Sequence, residues 1–339
     1  MKDRPTTKDL ARAAGVSLAT VDRVLNGRAG VRQKTVDSVN RAIQEIGFER
    51  NMLAAALARR RGARFAFVLP ETGDQFRDGL LARIAETEAA LAAEQIAIET
   101  HCLSAVDPHR TAAHLASLDP ETYDGVALLA PRTPQIRDAL RRLAERGIHP
   151  LAFLADQGDA APLVGTDNRA AGATAAALMG RFAAGRDGPV LVLGDSLQSR
   201  DAIDRRAGFD AIMARDFGAL RPLPSLETRG DPTRTRAIVT RAVAAQPDLI
   251  GVYVLTSEAR PPLKALAQVA PPGLIRIAHE RTPFTQGALR RGQVDAIITQ
   301  DQGHLVRSAI RTLRARVENR PILAGQERIR IEILLKENL

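Results

Sequence analysis

Residues able to do covalent chemistry are few in this chain of 339 amino acids, and their spacing does not assemble them. Asp167 and Glu280 with His279 can be drawn as an acid–base set, and His101 beside Cys102 as a thiol–imidazole pair. Neither is accompanied by a nucleophile elbow, a His-x-x-x-His or related metal spacing, a Walker A motif or a GxGxxG after a strand. No catalytic residue, cofactor or metal is therefore expected. His101 and Cys102 lie in the strand-like run AIETHCL, where a structural cysteine is the expected role. With Cys102 the only cysteine, neither an internal disulfide nor a thiolate cluster can form. What the residue types offer instead is recognition. Arginines such as Arg23 and Arg205 present planar forks of donors, suited to a guanine edge, a carboxylate or vicinal hydroxyls.

Arg23 belongs to the stretch TTKDLARAAGVSLATVDRVLN, residues 6–26, which reads as two short helices broken at Gly15. Thr6 with Asp9 three residues later is a helix-start signal, and Leu10, Ala13 and Ala14 form an apolar stripe. Ser17 is placed to cap a second helix that turns Val21, Val24 and Leu25 inward and leaves Leu18, Ala19, Asp22, Arg23 and Asn26 pointing elsewhere. That is a helix-turn-helix pattern with an exposed recognition helix, although any tight helical hairpin shares the period. Charge favours the DNA-binding reading. Residues 1–62 carry 13 Lys+Arg against 6 Asp+Glu, so most of the whole chain's net charge of +9 is gathered in one small module. Such a surplus is the footprint of a phosphate partner.

The wording KDLARAAGVSLATVDRVLNGR, followed by GFERNMLAAAL, resembles the LacI/GalR family of bacterial transcriptional regulators, whose usual pattern is close to KDVAxxAGVSxxTVSRVLN and GYxPNxxARxL. The match is specific over about the first 60 residues and weaker beyond. The resemblance implies contacts to double-stranded DNA from Thr6, Ser17, Leu18, Ala19, Thr20, Asp22, Arg23, Asn26 and Arg28. Leu18 and Ala19, short of donors, suit a thymine methyl, which leaves Arg23 as the main hydrogen-bonding base reader. Asp22 stands where the family usually has Ser.

A third helix is predicted over about Lys34–Ile46, stopped by Gly47, with Phe48 closing a small core. Residues 49–62, ERNMLAAALARRRG, are Ala-rich but too short for a stable isolated helix. The resemblance implies a hinge here that becomes helical on DNA, with Asn51 and Ala54 among the contacts and Leu57 wedged into the minor groove. Arg50 and Ala55 depart from the family's Pro and Arg at these places. A plain linker with solvated Arg59, Arg60 and Arg61 is the alternative.

From Arg64 onward, apolar runs (FAFVLP, GVALLA, PLAFLA, PVLVLG, LIGVYVL, DAIITQ) alternate with helical periodicity, the pattern of parallel sheets covered on both faces. There are more strands than one sheet usually needs, so two Rossmann-like subdomains flanking a cleft are expected, in agreement with the periplasmic-binding-protein-like α/β fold that the resemblance implies. The expected domains are 1–48 for the all-α helix-turn-helix, 49–62 for the hinge and 63–339 for effector binding and dimerisation. Within the last, one subdomain should hold about 63–160 and 286–320, the other about 161–285 and 321–339.

Ligands of such sheets bind beyond the carboxyl ends of the strands. The loop ETGDQFRDG offers Asp74 and Gln75 as hydrogen-bonding groups, and the resemblance implies a sugar-stacking aromatic at Phe76, with a core residue as the alternative. By resemblance, Asp167, Arg205 of RRAGF, Thr256 and Glu280 join the ligand set, and Gln300, which ends the strand DAIITQ, is placed to face the cleft. Asp167 as a helix cap would look the same, and Thr256-Ser257 replaces a more usual Asn-Asp. With no Trp, two Tyr and nine Phe, the cleft favours a small, strongly hydrogen-bonded sugar, polyol or sugar acid. The expectation is a homodimeric, effector-controlled repressor reading a near-palindromic operator. The start MKDRPTTKDL lacks a signal-peptide core and no apolar run approaches a membrane span, so the cytoplasm is the expected location. The terminal IEILLKENL is strand-like, without a heptad segment for tetramerisation. A stand-alone solute-binding protein of the same fold is the alternative.

Overall fold

The first helix, α1 (Thr7–Ala14), starts at a reciprocal cap. The Thr6 hydroxyl accepts from Asp9 N at 3.3 Å while the Asp9 carboxylate accepts from Thr6 N at 2.9 Å. Gly15 ends it at φ 65°, a left-handed turn that a Cβ would strain. α2 (Leu18–Leu25) begins on Ser17, whose Oγ accepts from Thr20 N at 3.1 Å. α3 (Gln33–Ile46) packs across both. Leu10, Ala14, Val21, Val39 and Ala42 are buried between the three helices, with Val24, Leu25, Ile43, Ile46 and Phe48 around them. Ala13, predicted to face this core, is exposed, and Ala11 packs there instead.

The computed structural model describes residues 5–25, 30–46, 48, 62–104, 107–196 and 199–339. The chain divides into two units, residues 1–62 with 318–321 and residues 63–317 with 322–339. Gly47 and nearly all of the hinge stretch, with Asn51, Ala54 and Leu57, lie outside the described residues, as do Asn26 and Arg28.

The larger unit holds two lobes. Lobe N runs β1 (Ala63–Glu71), α4 (Gln75–Leu91), β2 (Ile96–Ser104), α5 (Pro108–Ser117), β3 (Gly125–Leu128), α6 (Pro134–Glu145), β4 (His149–Phe153) and β5 (Leu163–Val164). Its strands form a parallel five-stranded sheet in the order β2-β1-β3-β4-β5. β1 shows why a continuous apolar run was needed. Phe65, Phe67 and Leu69 face one core, shared with α4, while Ala66 and Val68 face the other, shared with α5 and α6.

Lobe C continues with α7 (Asn168–Ala183), β6 (Gly188–Gly194), α8 (Arg200–Asp216), β7 (Leu220–Pro222), β8 (Leu226–Glu227), α9 (Pro232–Ala245), β9 (Gly251–Val254), α10 (Arg260–Val269), β10 (Ile275–Ala278), α11 (Pro283–Arg290) and β11 (Ala296–Thr299). The chain then returns to lobe N for α12 (Gln302–Val317), followed by α13 (Ala324–Glu327), and ends in lobe C with β12 (Glu332–Leu334). The second sheet runs β12-β11-β10-β9-β6-β7, with β8 also paired to β6. Only the β11–β12 pair is antiparallel among the described strands.

Three crossings thus join the lobes, but two expected boundaries move. The range 286–320 expected for lobe N includes DAIITQ, yet β11 pairs with β10 in the lobe C sheet, so lobe N takes only α12 from those residues. Residues 321–339 are divided rather than wholly in lobe C: Ile329 sits in the lobe N core before β12 joins the other sheet. Among the described residues, no helix is long and apolar enough to cross a membrane.

Candidate functional site

The helix pair presents a definite outer face. Val21 is fully buried, whereas Leu18 is 47% exposed and Ala19, Asp22 and Arg23 are exposed beside it. Thr6 and Ser17 both spend their hydroxyls on helix caps, and Thr20 Oγ1 lies 2.8 Å from Ser17 Oγ. Those bonds fix where α1 and α2 begin and hence which residues face outward.

Within lobe C, the side chains converge on Arg205. Two helices of lobe C place it, and they approach more closely than side chains allow. A Cβ on Gly208 would stand 1.9 Å from Arg169 O, and one on Gly172 would stand 1.8 Å from Arg205 O. Glycine at these two contacts lets α7 and α8 touch backbone to backbone, which brings Asn168 at the start of α7 against Arg205 on α8. Arg205 Nε donates to Asn168 Oδ1 at 2.8 Å, Nη1 to Leu255 O at 2.8 Å and Nη2 to Glu280 Oε1 at 2.9 Å. Glu280 further accepts from Thr299 Oγ1 at 3.0 Å and from Gln300 Nε2 at 3.2 Å. The Arg205 and Glu280 side chains are only 5% and 2% exposed. Burial pushes the Glu280 carboxyl above its usual range, while Arg205, Thr299 and Gln300 oppose that rise. Next to it, His279 Nε2 lies 2.9 Å from Tyr253 OH. Burial, with Arg205 nearby, holds His279 well below an ordinary imidazole and therefore neutral.

A second carboxylate group rims a cavity of about 780 Å3, which Thr72, Asp74, Asp195, Glu258, Arg260 and Phe284 help to line. Asp195 accepts from Thr228 Oγ1 at 2.7 Å and Thr256 Oγ1 at 2.5 Å. Glu258 accepts from Arg260 Nη2 at 3.1 Å, and burial raises its carboxyl. Here the lobes are clasped. Arg260 Nη2 donates to Gly73 O at 3.3 Å, Gln75 N to Glu258 Oε2 at 3.4 Å, and Phe284 N to Gln75 Oε1 at 3.0 Å.

The expected ligand residues divide accordingly. Arg205, Glu280 and Gln300 come together in one hydrogen-bonded cluster, and Thr256 joins Asp195 instead. Asp167 is exposed and caps α7 by accepting from Ala170 N at 2.9 Å, so its neighbour Asn168 is the residue that meets Arg205. Phe76 packs into the lobe N core at 7% exposure, the core alternative of its two readings. Asp74 caps α4 through Arg77 N, whereas Gln75 spans the lobes. The next residue, Arg206, binds Asp210, Leu223 O and Ser225. Asn168, Asp195 and Glu258 were missed, although each follows a strand end and the rule used for the other loops would have found them. Cys102 is exposed and accepts from Arg77 Nη2 at 3.2 Å, while His101 turns toward Glu99, Tyr123 and His114. Among the described residues, no cluster of His, Cys, Asp or Glu is arranged to hold a metal ion.

Two mainly parallel sheets joined by three crossings around a cleft define the class of fold, and a family model described as periplasmic binding protein domain matches residues 65–321. A second, described as bacterial regulatory proteins, lacI family, matches residues 6–51. The chain belongs to the periplasmic-binding-protein domain family over residues 65–321 and carries a lacI-family regulatory domain at residues 6–51. The HTH-type transcriptional regulator DegA of Bacillus subtilis is 29% identical over 161 residues, 47% of this chain and 46% of DegA. The maltose regulon regulatory protein MalI of Escherichia coli is 32% identical over 148 residues, 44% of this chain and 42% of MalI. The chain thus spans less than half the length of these curated relatives. In fold it is similar to a solute-binding protein of Burkholderia graminis in complex with D-arabinose, with TM-score 0.71, 21% identity, and coverage of 82% of this chain and 96% of that one. A putative LacI transcriptional regulator from Bacteroides fragilis gives TM-score 0.69 at 19% identity, covering 82% and 98%.

Proposed function

We propose that this chain is a homodimeric transcriptional repressor that reads a near-palindromic operator and responds to a small carbohydrate-like effector held between lobes N and C. The observation that carries this reading is the joining, in one chain, of a helix-turn-helix with an exposed Leu18–Arg23 face to a two-lobed domain centred on Arg205 and Glu280. Twin helix pairs related by a two-fold axis read two half-sites. Arg23 supplies the hydrogen-bonded base contact, Leu18 and Ala19 meet thymine methyls, and Thr20 positions a phosphate. The names of DegA and MalI as regulators, and D-arabinose in the solute-binding neighbour, support the two halves of the assignment.

In the cleft, hydroxyls of the effector exchange for the internal partners of Arg205, Glu280, Thr256 and Gln300, and the arrangement of the lobes shifts. An effector that prefers the non-binding arrangement weakens DNA affinity by the same factor that DNA weakens effector affinity. The test is a gel shift at near-physiological salt against palindromic sites upstream of the gene and its neighbours, repeated with a panel of sugars, polyols and sugar acids. The expected result is a preferred site that one compound releases. Sugar binding without any preferred site would instead support the solute-binding alternative.

A further inference from the structure

A polar cavity of about 510 Å3 lies where the chain crosses from β11 into α12. Lobe N contributes Arg83 on α4 and Arg307 on α12, lobe C contributes Arg281 and Glu332, and Gln300 and Asp301 come from the crossing itself. Neither Arg205 nor Glu280 lines it. Gln300 is 4% exposed; its Nε2 is held by Glu280 at 3.2 Å, but its Oε1 has no hydrogen-bond partner among the described residues. A buried carbonyl without a donor is costly, and it marks where a donor belongs.

Charge points the same way. The Arg307 guanidinium, folded over Gly303, has no ion pair or hydrogen bond among the described residues. Arg281 Nε and Nη2 reach only the neutral amide oxygen of Gln286, at 2.8 and 3.2 Å once that amide is oriented to satisfy both groups. Two guanidinium groups that form no ion pair among the described residues, although Asp301 and Glu332 share the cavity, suit a phosphate or carboxylate. Gln300 Oε1, with Glu332 and Asp301, suits hydroxyl donors. We infer that this crossing holds a second ligand site, distinct from the Arg205–Glu280 centre, that takes a small polyhydroxylated anion: a sugar phosphate or a sugar acid. Because its walls come from both lobes and Gln300 also touches Glu280, an occupant here favours one lobe arrangement and is coupled to the cleft.

The test is calorimetric titration of the full chain with ribose 5-phosphate, ribonate, ribose and inorganic phosphate. Ribose 5-phosphate or ribonate should bind saturably and about tenfold or more tightly than ribose and inorganic phosphate. Whichever of the two binds more tightly identifies the source of the anion. Arg307→Ala and Arg281→Ala, both at exposed positions, should each weaken that binding about tenfold without changing the thermal melt. Absence of binding by both anions at millimolar concentration overturns the inference, and so does inorganic phosphate binding as tightly as the sugar anion. Binding that Arg205→Lys abolishes and Arg307→Ala leaves intact would put the ligand in the cleft and also overturn it. Since no DNA enters these measurements, their failure is distinct from failure of the repressor reading.

Discussion

At the scale of single residues, the Arg205–Glu280 pair behaves as a unit, and removing half of it is different from removing both. Arg205→Ala strands a buried carboxylate, and the expected loss of stability is about 3–5 kcal/mol, the usual result of leaving one charge of a buried pair alone. The double substitution Arg205→Met with Glu280→Leu should cost far less, because apolar groups of similar size replace both ions. Urea denaturation of the wild type, the two single variants and the double variant checks this; additive losses would show that the pair is not coupled. Loss of effector response in Arg205→Ala alone would therefore be ambiguous, and Arg205→Lys is the better probe of the cleft. Neighbouring His279 gives a pH signature. Its folded-state pKa lies below the ordinary value of 6.5, so the unfolded chain binds the proton more tightly. Its contribution is present above the unfolded value and is lost as pH falls below it, with a slope of at most about 1.4 kcal/mol per pH unit. Melting curves from about pH 7.5 down to about pH 5 should show this loss, and His279→Gln should flatten it.

At the scale of elements, glycine placement decides whether Arg205 is held at all. Gly208→Ala puts a methyl group 1.9 Å from Arg169 O, a backbone atom that cannot swing aside, so α7 and α8 must separate. The expected cost is about 2–3 kcal/mol by chemical denaturation, with weakened effector binding, since Asn168 and Arg205 lie on opposite sides of that contact. Wild-type stability in this variant would mean that the helices are more loosely packed. Much of this level was legible in the sequence. Each long apolar run became a strand because a parallel strand with helices on both faces must be apolar on both, as Phe65–Leu69 shows. The caps at Thr6 and Ser17 were legible because they act within three residues. Sheet membership was not legible: nothing local in DAIITQ says that β11 lies beside β10, and the partner of that strand is fixed by packing across the chain. The site failed in the same way. Asp167 and Asn168 are equally plausible in sequence, and only the direction of α7 decides which caps the helix and which meets Arg205.

At the scale of the whole larger unit, the bonds between the lobes among the described residues are to exchangeable partners. Gln75 accepts from the start of α11, Arg260 reaches Gly73 O, and Gln75 N donates to Glu258 Oε2 at 3.4 Å. Gln75→Ala with Arg260→Ala removes two of these clasps and should favour an open arrangement of the lobes in the absence of effector. The expected readout is a larger radius of gyration in small-angle scattering of residues 63–339, returning toward the wild-type value when effector is added. Identical scattering with and without the clasps would mean that cleft packing alone keeps the lobes closed.

The return of the chain through α12 also bears on synthesis. Leu305, Val306, Ala309, Ile310 and Leu313 complete the lobe N core beside Phe65, Phe67 and Phe153, although β5 ends at Val164. When a ribosome has released the first lobe's sheet, α4 covers part of its apolar face but α12 is still missing, and nearly all of lobe C must be translated before that second helix emerges. At about 5–20 residues per second, the gap lasts several seconds to tens of seconds. During that interval the nascent lobe N exposes the part of its sheet that α12 will cover, and so this stage of biogenesis is where chaperone engagement or misassembly should concentrate.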